Sequence, residues 1–249
     1  MGAGIVNGSP LAGVTAAILA GGLGTRLRSA VADRPKALAA VEGRPFLSYQ
    51  LDHLVQAGVR RAVVCTGYLG EMIEQEFGAA YRGMSLTYSR EHQPLGTGGA
   101  LRAALDRIAG DNVLALNGDS LCGADLPAMA AAHSACGAVG TLLLAHVDDA
   151  SRFGRVECDA QGRITAYLEK QPLAAAGWIN AGVYLFQRRL IESIPTGRPV
   201  SLERDILPQW IGQGLFGHCA TGEFIDIGTP DSYGQIAAFV KRQTASAGQ

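Results

Sequence analysis

The first half of this chain alternates short apolar runs with segments of helical spacing, and that alternation admits few folds. Residues 14–19 form an apolar run bounded by glycines, which reads as a buried strand. Residues 45–57 place Phe46, Leu47, Leu51, Leu54 and Val55 near the helical repeat, and Gly58 ends the segment. Strand patterns at 62–66, 86–89 and 113–116 alternate with helical patterns at 71–77 and 99–108. Strands linked through helices lie parallel in one sheet wrapped by those helices. Right-handed crossovers then bring the carboxyl ends of the strands to one crevice. The loops at 20–26, 90–98 and 117–119 all open there.

The second half is patterned differently. Residues 140–147 predict a long strand, and 154–158 and 164–168 flank Asp159-Ala160-Gln161-Gly162, a turn suited to a hairpin. Residues 181–186 predict another strand, and 224–227 a short one. Ser201 is placed to cap a helix containing Asp205, Ile206 and Leu207. Thr229-Pro230 reads as a cap followed by proline at the first helical position, opening a helix over 232–241. No linker, internal repeat or low-complexity tract divides the chain. The expectation is a flexible leader over 1–13 and one domain over 14–249, with lobes at about 14–120 and 121–249. The leader has neither a basic region nor a long apolar stretch, so it is not read as a secretion signal.

Composition narrows the function. Hydrophobic residues make up 48% of the 249 and charged residues 17%, which suits a globular chain with a substantial core. The formal net charge of -1 gives no global attraction to nucleic acid or an anionic membrane. No apolar run approaches the roughly 18 residues of a membrane span. Cys65, Cys122, Cys136, Cys158 and Cys219 are scattered without a C-x-x-C pair, which predicts a reducing cytoplasmic setting and no zinc site.

The most informative loop is Leu19-Ala20-Gly21-Gly22-Leu23-Gly24-Thr25-Arg26-Leu27. Glycines directly after a buried strand let backbone N–H groups approach a phosphate chain closely. Arg26 adds a planar cationic fork for phosphate oxygens. The dinucleotide fingerprint fails because Leu27 stands where G-x-G-x-x-G needs a third glycine, and no G-K-[ST] ends the loop as a P-loop requires. The loop resembles the G-G-x-G-T-R-L signature of the sugar-1-phosphate nucleotidyltransferases. Lys36, in Arg34-Pro35-Lys36, matches the second basic residue of that family. The chain departs from the family after it, reading Ala37-Leu38-Ala39-Ala40-Val41 where two further prolines are usual.

The resemblance extends from about Val14 to about Val240 and is similar above all to the D-glycero-α-D-manno-heptose 1-phosphate guanylyltransferases. Pro45-Phe46-Leu47, Pro94-Leu95-Gly96-Thr97-Gly98-Gly99-Ala100, Leu116-Asn117-Gly118-Asp119 and Phe224-Ile225-Asp226-Ile227-Gly228 carry it. It implies an α/β fold, a Rossmann-like, mostly parallel mixed sheet flanked by helices, of the nucleotide-diphospho-sugar transferase type. It implies GTP and a manno-configured sugar 1-phosphate as partners, with pyrophosphate released. Mannose 1-phosphate guanylyltransferases and uridylyltransferases share most of the motifs. A non-catalytic nucleotide-sugar sensor on the same fold is the rival class, and homo-oligomerisation stays open.

The same resemblance assigns residues. Leu19, Ala20, Gly21, Gly22, Gly24 and Thr25 would hold the nucleotide with Pro94, Gly96 and Thr97, and Glu91 would accept from the donor edge of guanine. Asn117, Gly118, Glu169, Asn180 and Gly182 would hold the sugar. Asp119 and Asp226 would share one Mg²⁺, which takes one or two carboxylates together with waters and phosphate oxygens. Arg26, Lys36, Lys170, Asp119 and Asp226 would be catalytic. The attacking sugar phosphate is already ionised, so alignment and charge neutralisation replace a general base. None of His53, His92, His133, His146 and His218 has metal-ligand spacing or a step that needs it.

Overall fold

The computed structural model describes residues 8–22, 24, 27, 31, 33–169 and 175–246. The first apolar run becomes β1 (Thr15–Leu19). A single 3-10 turn at Lys36–Leu38 and two short strands, β2 (Ala40–Val41) and β3 (Arg44–Pro45), lead into α1 (Phe46–Gln56). Next come β4 (Arg61–Thr66), α2 (Gly70–Phe77), β5 (Ala80–Tyr81), β6 (Met84–Arg90), α3 (Gly96–Ala103) and β7 (Asn112–Asn117). After β8 (Ser120–Cys122), α4 (Leu126–Ala135) and β9 (Gly140–Val147), a hairpin forms from β10 (Gly154–Cys158) and β11 (Ile164–Glu169). The chain continues through β12 (Gly177–Gln187), α5 (Arg188–Glu192), a π-helical turn at Leu202–Ile206 and α6 (Leu207–Trp210). It closes with β13 (Leu215–Cys219), β14 (Phe224–Asp226) and α7 (Pro230–Ser246).

Among the described residues, ten strands form one mixed sheet flanked by helices. The order β7-β1-β4-β6 is parallel throughout, as the alternation of the first half predicts. β12 joins the far side of β7 in antiparallel sense and carries β9 along its other edge. β1 therefore lies between a strand reached early, β4, and one reached late, β7. That is a switch point, where loops at the carboxyl ends of neighbouring strands diverge and leave a crevice.

The alternation of β1 explains how the sheet is covered. Ala16 and Ile18 point to one apolar core with Leu47, Leu51 and Leu54 of α1, while Ala17 points to the other core with Leu101 and Leu105. A third cluster, including Phe46, Leu121, Ile227 and Phe239, packs α7 against the paired strands β8 and β14. That cluster anchors the late segment carrying Asp226 beside the early segment carrying Asp119.

Several boundaries differ from expectation for local reasons. α3 begins at Gly96 rather than at Gly99 and ends at Ala103. Gly96 has φ 71°, and a Cβ there would lie 2.5 Å from the Val200 carbonyl oxygen, so glycine permits the earlier start. The strand expected at 181–186 runs the full Gly177–Gln187, with an irregularity at 180–184 where Gly182 takes φ 74°. Ser201 does cap, with Oγ accepting from the Arg204 N–H at 3.2 Å, but the turn it opens is π-helical. β5, β8, α4 and β13 were not expected. No helix among the described residues is long and apolar enough to cross a membrane.

Candidate active site

A cleft of about 540 Å³ opens at the carboxyl ends of β1 and β7, within the size range of small-molecule sites. The two loops that flank it touch directly. The Gly118 N–H donates to the Leu19 carbonyl at 3.0 Å. A Cβ on Gly118 would lie 2.8 Å from that oxygen and 3.1 Å from the Ala20 Cα, so only glycine lets the strands' exits come this close. Leu19, Ala20, Gly22, Gly24, Lys36, Asn117, Gly118 and Asp119 all line the cleft. Gly24 has φ 59°, and a Cβ there would stand 3.6 Å from the Lys36 Cβ, so Gly24 lies against the stem of the lysine.

Two acids are brought to neighbouring strands here, Asp119 lining the cleft and Asp226 just outside its lining. β14 pairs antiparallel with β8, setting Asp226 opposite Ser120. The Ile227 N–H donates to the Asp119 carbonyl at 2.8 Å, so the backbones of both acids are neighbours. Lys36 Nζ lies 2.8 Å from Asp119 Oδ2. Asp226 Oδ1 accepts from the Gly228 N–H at 2.6 Å, and Arg152 lies 3.5 Å from Oδ2. Each carboxylate thus faces a cation supplied by the protein. Asp119 at the cleft and Asp226 on the adjacent strand are hard oxygen donors of the kind that suits a divalent ion keeping waters and phosphate oxygens in its shell. Among the described residues no cluster of three or more His, Cys, Asp or Glu forms a closed protein cage.

At the other end of the cleft, Glu169 and Asn180 line the wall beside Tyr167. The Asn180 amide donates to Tyr167 Oη at 3.2 Å and Tyr184 Oη at 2.8 Å, and its Oδ1 accepts from the Gly182 N–H at 3.0 Å. Asn180 is therefore held rigidly by two phenols whose own ionisation burial suppresses. Gly182 sits behind this wall: a Cβ there would fall 2.9 Å from Asn117 Nδ2 and from Ser120 Oγ. It shapes the site without lining it.

The loop expected to meet the base is braced from below. Glu91 Oε2 accepts from the Leu95 N–H at 2.9 Å. A Cβ on Gly21 would collide with its Oε1, so Glu91 and Gly21 are packed against each other. Burial raises the Glu91 carboxyl above its ordinary value. Gly96 and Thr97 line the cleft, whereas Gly21, Glu91 and Pro94 are not among its lining residues. Thr25, Arg26 and Lys170 lie outside the described residues.

Sequence reasoning missed part of the wall. Arg152 and Phe153 reach the cleft from the segment before β10, and Glu203 reaches it from the π-helical turn. Glu203 Oε2 accepts from the Thr97 hydroxyl at 2.6 Å and from the Ser201 hydroxyl at 3.1 Å. The cap at Ser201 was the available signal, but nothing in a single turn says which side chain faces a cleft.

A family model described as nucleotidyl transferase matches residues 15–243. The chain belongs to the nucleotidyl transferase family. A D-glycero-α-D-manno-heptose 1-phosphate guanylyltransferase of Aneurinibacillus thermoaerophilus is 39% identical over 219 residues, covering 88% of this chain and 94% of that protein. A mannose-1-phosphate guanylyltransferase of Mycobacterium tuberculosis is 36% identical over 236 residues, covering 93% of this chain and 66% of that protein. The chain thus spans about two thirds of the length of the mycobacterial relative. The crystal structure of HddC from Yersinia pseudotuberculosis has TM-score 0.79 at 30% identity, covering 90% of this nucleotidyltransferase and 98% of HddC. HddC has also been solved complexed with GMP-PN, and that structure has TM-score 0.77.

Proposed function

We propose that this chain transfers GMP from GTP to D-glycero-α-D-manno-heptose 1-phosphate, forming a GDP-sugar and pyrophosphate in the cytoplasm. The observation that carries the reading is the meeting of Asp119 and Asp226 through the β8–β14 pair, with Lys36 on Asp119. The guanylyl and heptose assignments rest on the relative that this chain matches almost end to end.

The reaction joins two polyanions, so its barrier is electrostatic. Asp119 and Asp226 would hold a divalent cation, which we take as Mg²⁺, and when bound it supplies charge neutralisation between the two phosphates. Lys36 is positioned to follow negative charge as it develops on the α-phosphate. The backbone of the glycine-rich loop, with Arg26, takes the role of holding the departing pyrophosphate. Lys170 takes that of orienting the sugar phosphate, whose ionised oxygen attacks without a base. Asn180, locked by Tyr167 and Tyr184, presents a fixed polar edge to the sugar, and Glu169 stands beside it. The α-phosphorus inverts by in-line displacement.

The test is pyrophosphate release with each of GTP, ATP, CTP, UTP and dTTP against heptose 1-phosphate and mannose 1-phosphate. Release is expected with GTP, and faster with the heptose phosphate. Turnover with UTP alone removes the guanylyl assignment, and binding without turnover by any pair removes the catalytic one.

A further inference from the structure

We propose that Gln50 is a positioning residue that sets the Asp119 turn for cation binding. The inference deepens the two-carboxylate site and rests on that reading. Gln50 is 2% exposed, on the face of α1 that also buries Leu47, Leu51 and Leu54. A polar side chain at such a place costs stability unless its bonds are made. Its Nε2 donates to the Asn117 carbonyl at 2.8 Å and to the Ser120 carbonyl at 2.7 Å. Its Oε1 is buried with no partner. Two carbonyl neighbours fix the amide's orientation, so the side chain leaves its oxygen unsatisfied in order to make both bonds.

Those two carbonyls bracket the turn that carries Asp119. Asn117 ends β7 and Ser120 begins β8, and Asp119 lies between. The Asp119 carbonyl meanwhile accepts from Ile227, next to Asp226. Gln50 therefore ties both ends of one acid's turn to the rigid α1, and the turn's middle ties to the other acid. A leucine in this apolar setting would pack as well but would take the amide donor away from both carbonyls. The amide is explained by the need to hold the turn, and through it the spacing of the two carboxylates.

Gln50→Met keeps the length and removes both donors. Mn²⁺ titration of the protein without substrates, followed by electron paramagnetic resonance, should show affinity weakened about tenfold or more, the usual effect of losing an outer support of a ligand. Hydrogen exchange should quicken at the Ile227 and Gly118 amides while the β1 and β4 amides hold. Turnover should fall while the KM for GTP, set largely by the glycine-rich loop, stays near its original value. Gln50→Glu, which when protonated keeps one donor, should lie between the two proteins in cation affinity; it also serves if the methionine variant folds poorly. Unchanged Mn²⁺ affinity and local exchange in both variants, with an active parent protein, overturns the role of Gln50 alone. Absence of Mn²⁺ binding and turnover in the parent protein overturns the proposed function and the inference with it.

Discussion

Lys36 Nζ and Asp119 Oδ2 stand 2.8 Å apart, joining the 3-10 turn behind the glycine-rich loop to the turn after β7. The lysine side chain is 14% exposed and the aspartate 43%, so the pair sits at the cleft's edge. The ammonium competes for the carboxylate that the proposed cation needs. Lys36→Met should therefore bind Mn²⁺ more tightly in the absence of substrate and yet turn over about 10²–10³-fold more slowly, because charge on the α-phosphate loses its partner. Opposite signs in metal titration and kcat are the result to look for; a parallel loss of both would assign Lys36 a purely structural place.

Gly118→Ala tests the contact between the two loops. The added Cβ would meet the Leu19 carbonyl oxygen and the Ala20 Cα, backbone atoms that no side-chain rotation moves away. Overpacking of this kind costs about 1–3 kcal/mol. A lowered melting temperature with a larger fall in kcat/KM is expected, since the displaced atoms belong to the glycine-rich loop and to the Asp119 turn.

Glu91→Gln separates bracing from base recognition. Burial raises the folded pKa of Glu91 above the ordinary 4.5, so the folded chain holds that proton more tightly than the unfolded chain. Its contribution favours folding below the unfolded value and is lost as pH rises through the folded one. At neutral pH the amide variant should melt higher than the parent, and the gain should shrink as pH falls toward 4.5 and below. Loss of GTP preference in the same variant would show that the carboxylate also reads the base.

His53 and His133 carry the opposite pH signature to Glu91. Burial lowers both from 6.5, so both fold neutral. Stability from a histidine with a depressed pKa is complete above 6.5 and lost as pH falls through the folded value. Thermal melts from pH 7.5 down to about 5 should fall, and His133→Gln, which can still bond the Thr141 hydroxyl, should flatten that slope. An unchanged slope would place the acid sensitivity elsewhere.

The strand–helix alternation of the first half was legible because β1, β4 and β7 are buried on both faces and read as near-continuous apolar runs. Thr15–Leu19 and Arg61–Thr66 are of that kind. β8 was not legible, because three residues carry no periodicity. α4 was hidden by its composition: Ala-rich Leu126–Ala135 has no apolar stripe to detect. Its start did leave a mark, since Asp125 Oδ1 accepts from the Ala128 N–H at 2.9 Å, with Pro127 in the first turn. At the site, Lys36, Asp119, Glu169 and Asn180 line the cleft, while Asp226, Glu91 and Gly182 lie outside its lining. Arg152 and Glu203 had no motif to announce them.

The sequence by itself determined the reaction family, because the glycine-rich loop, Lys36 and the segments around Asp119 and Asp226 together match the motifs of one family. It also determined the parallel half of the sheet, through the period of its apolar residues. Tertiary structure alone decided which distant groups come together beside the cleft. Asp226 reaches Asp119 only because α7 packs β14 onto β8, and Gln50 reaches the same turn only because α1 crosses beneath it. Such proximity depends on how several faces are buried together, which no short stretch of sequence encodes.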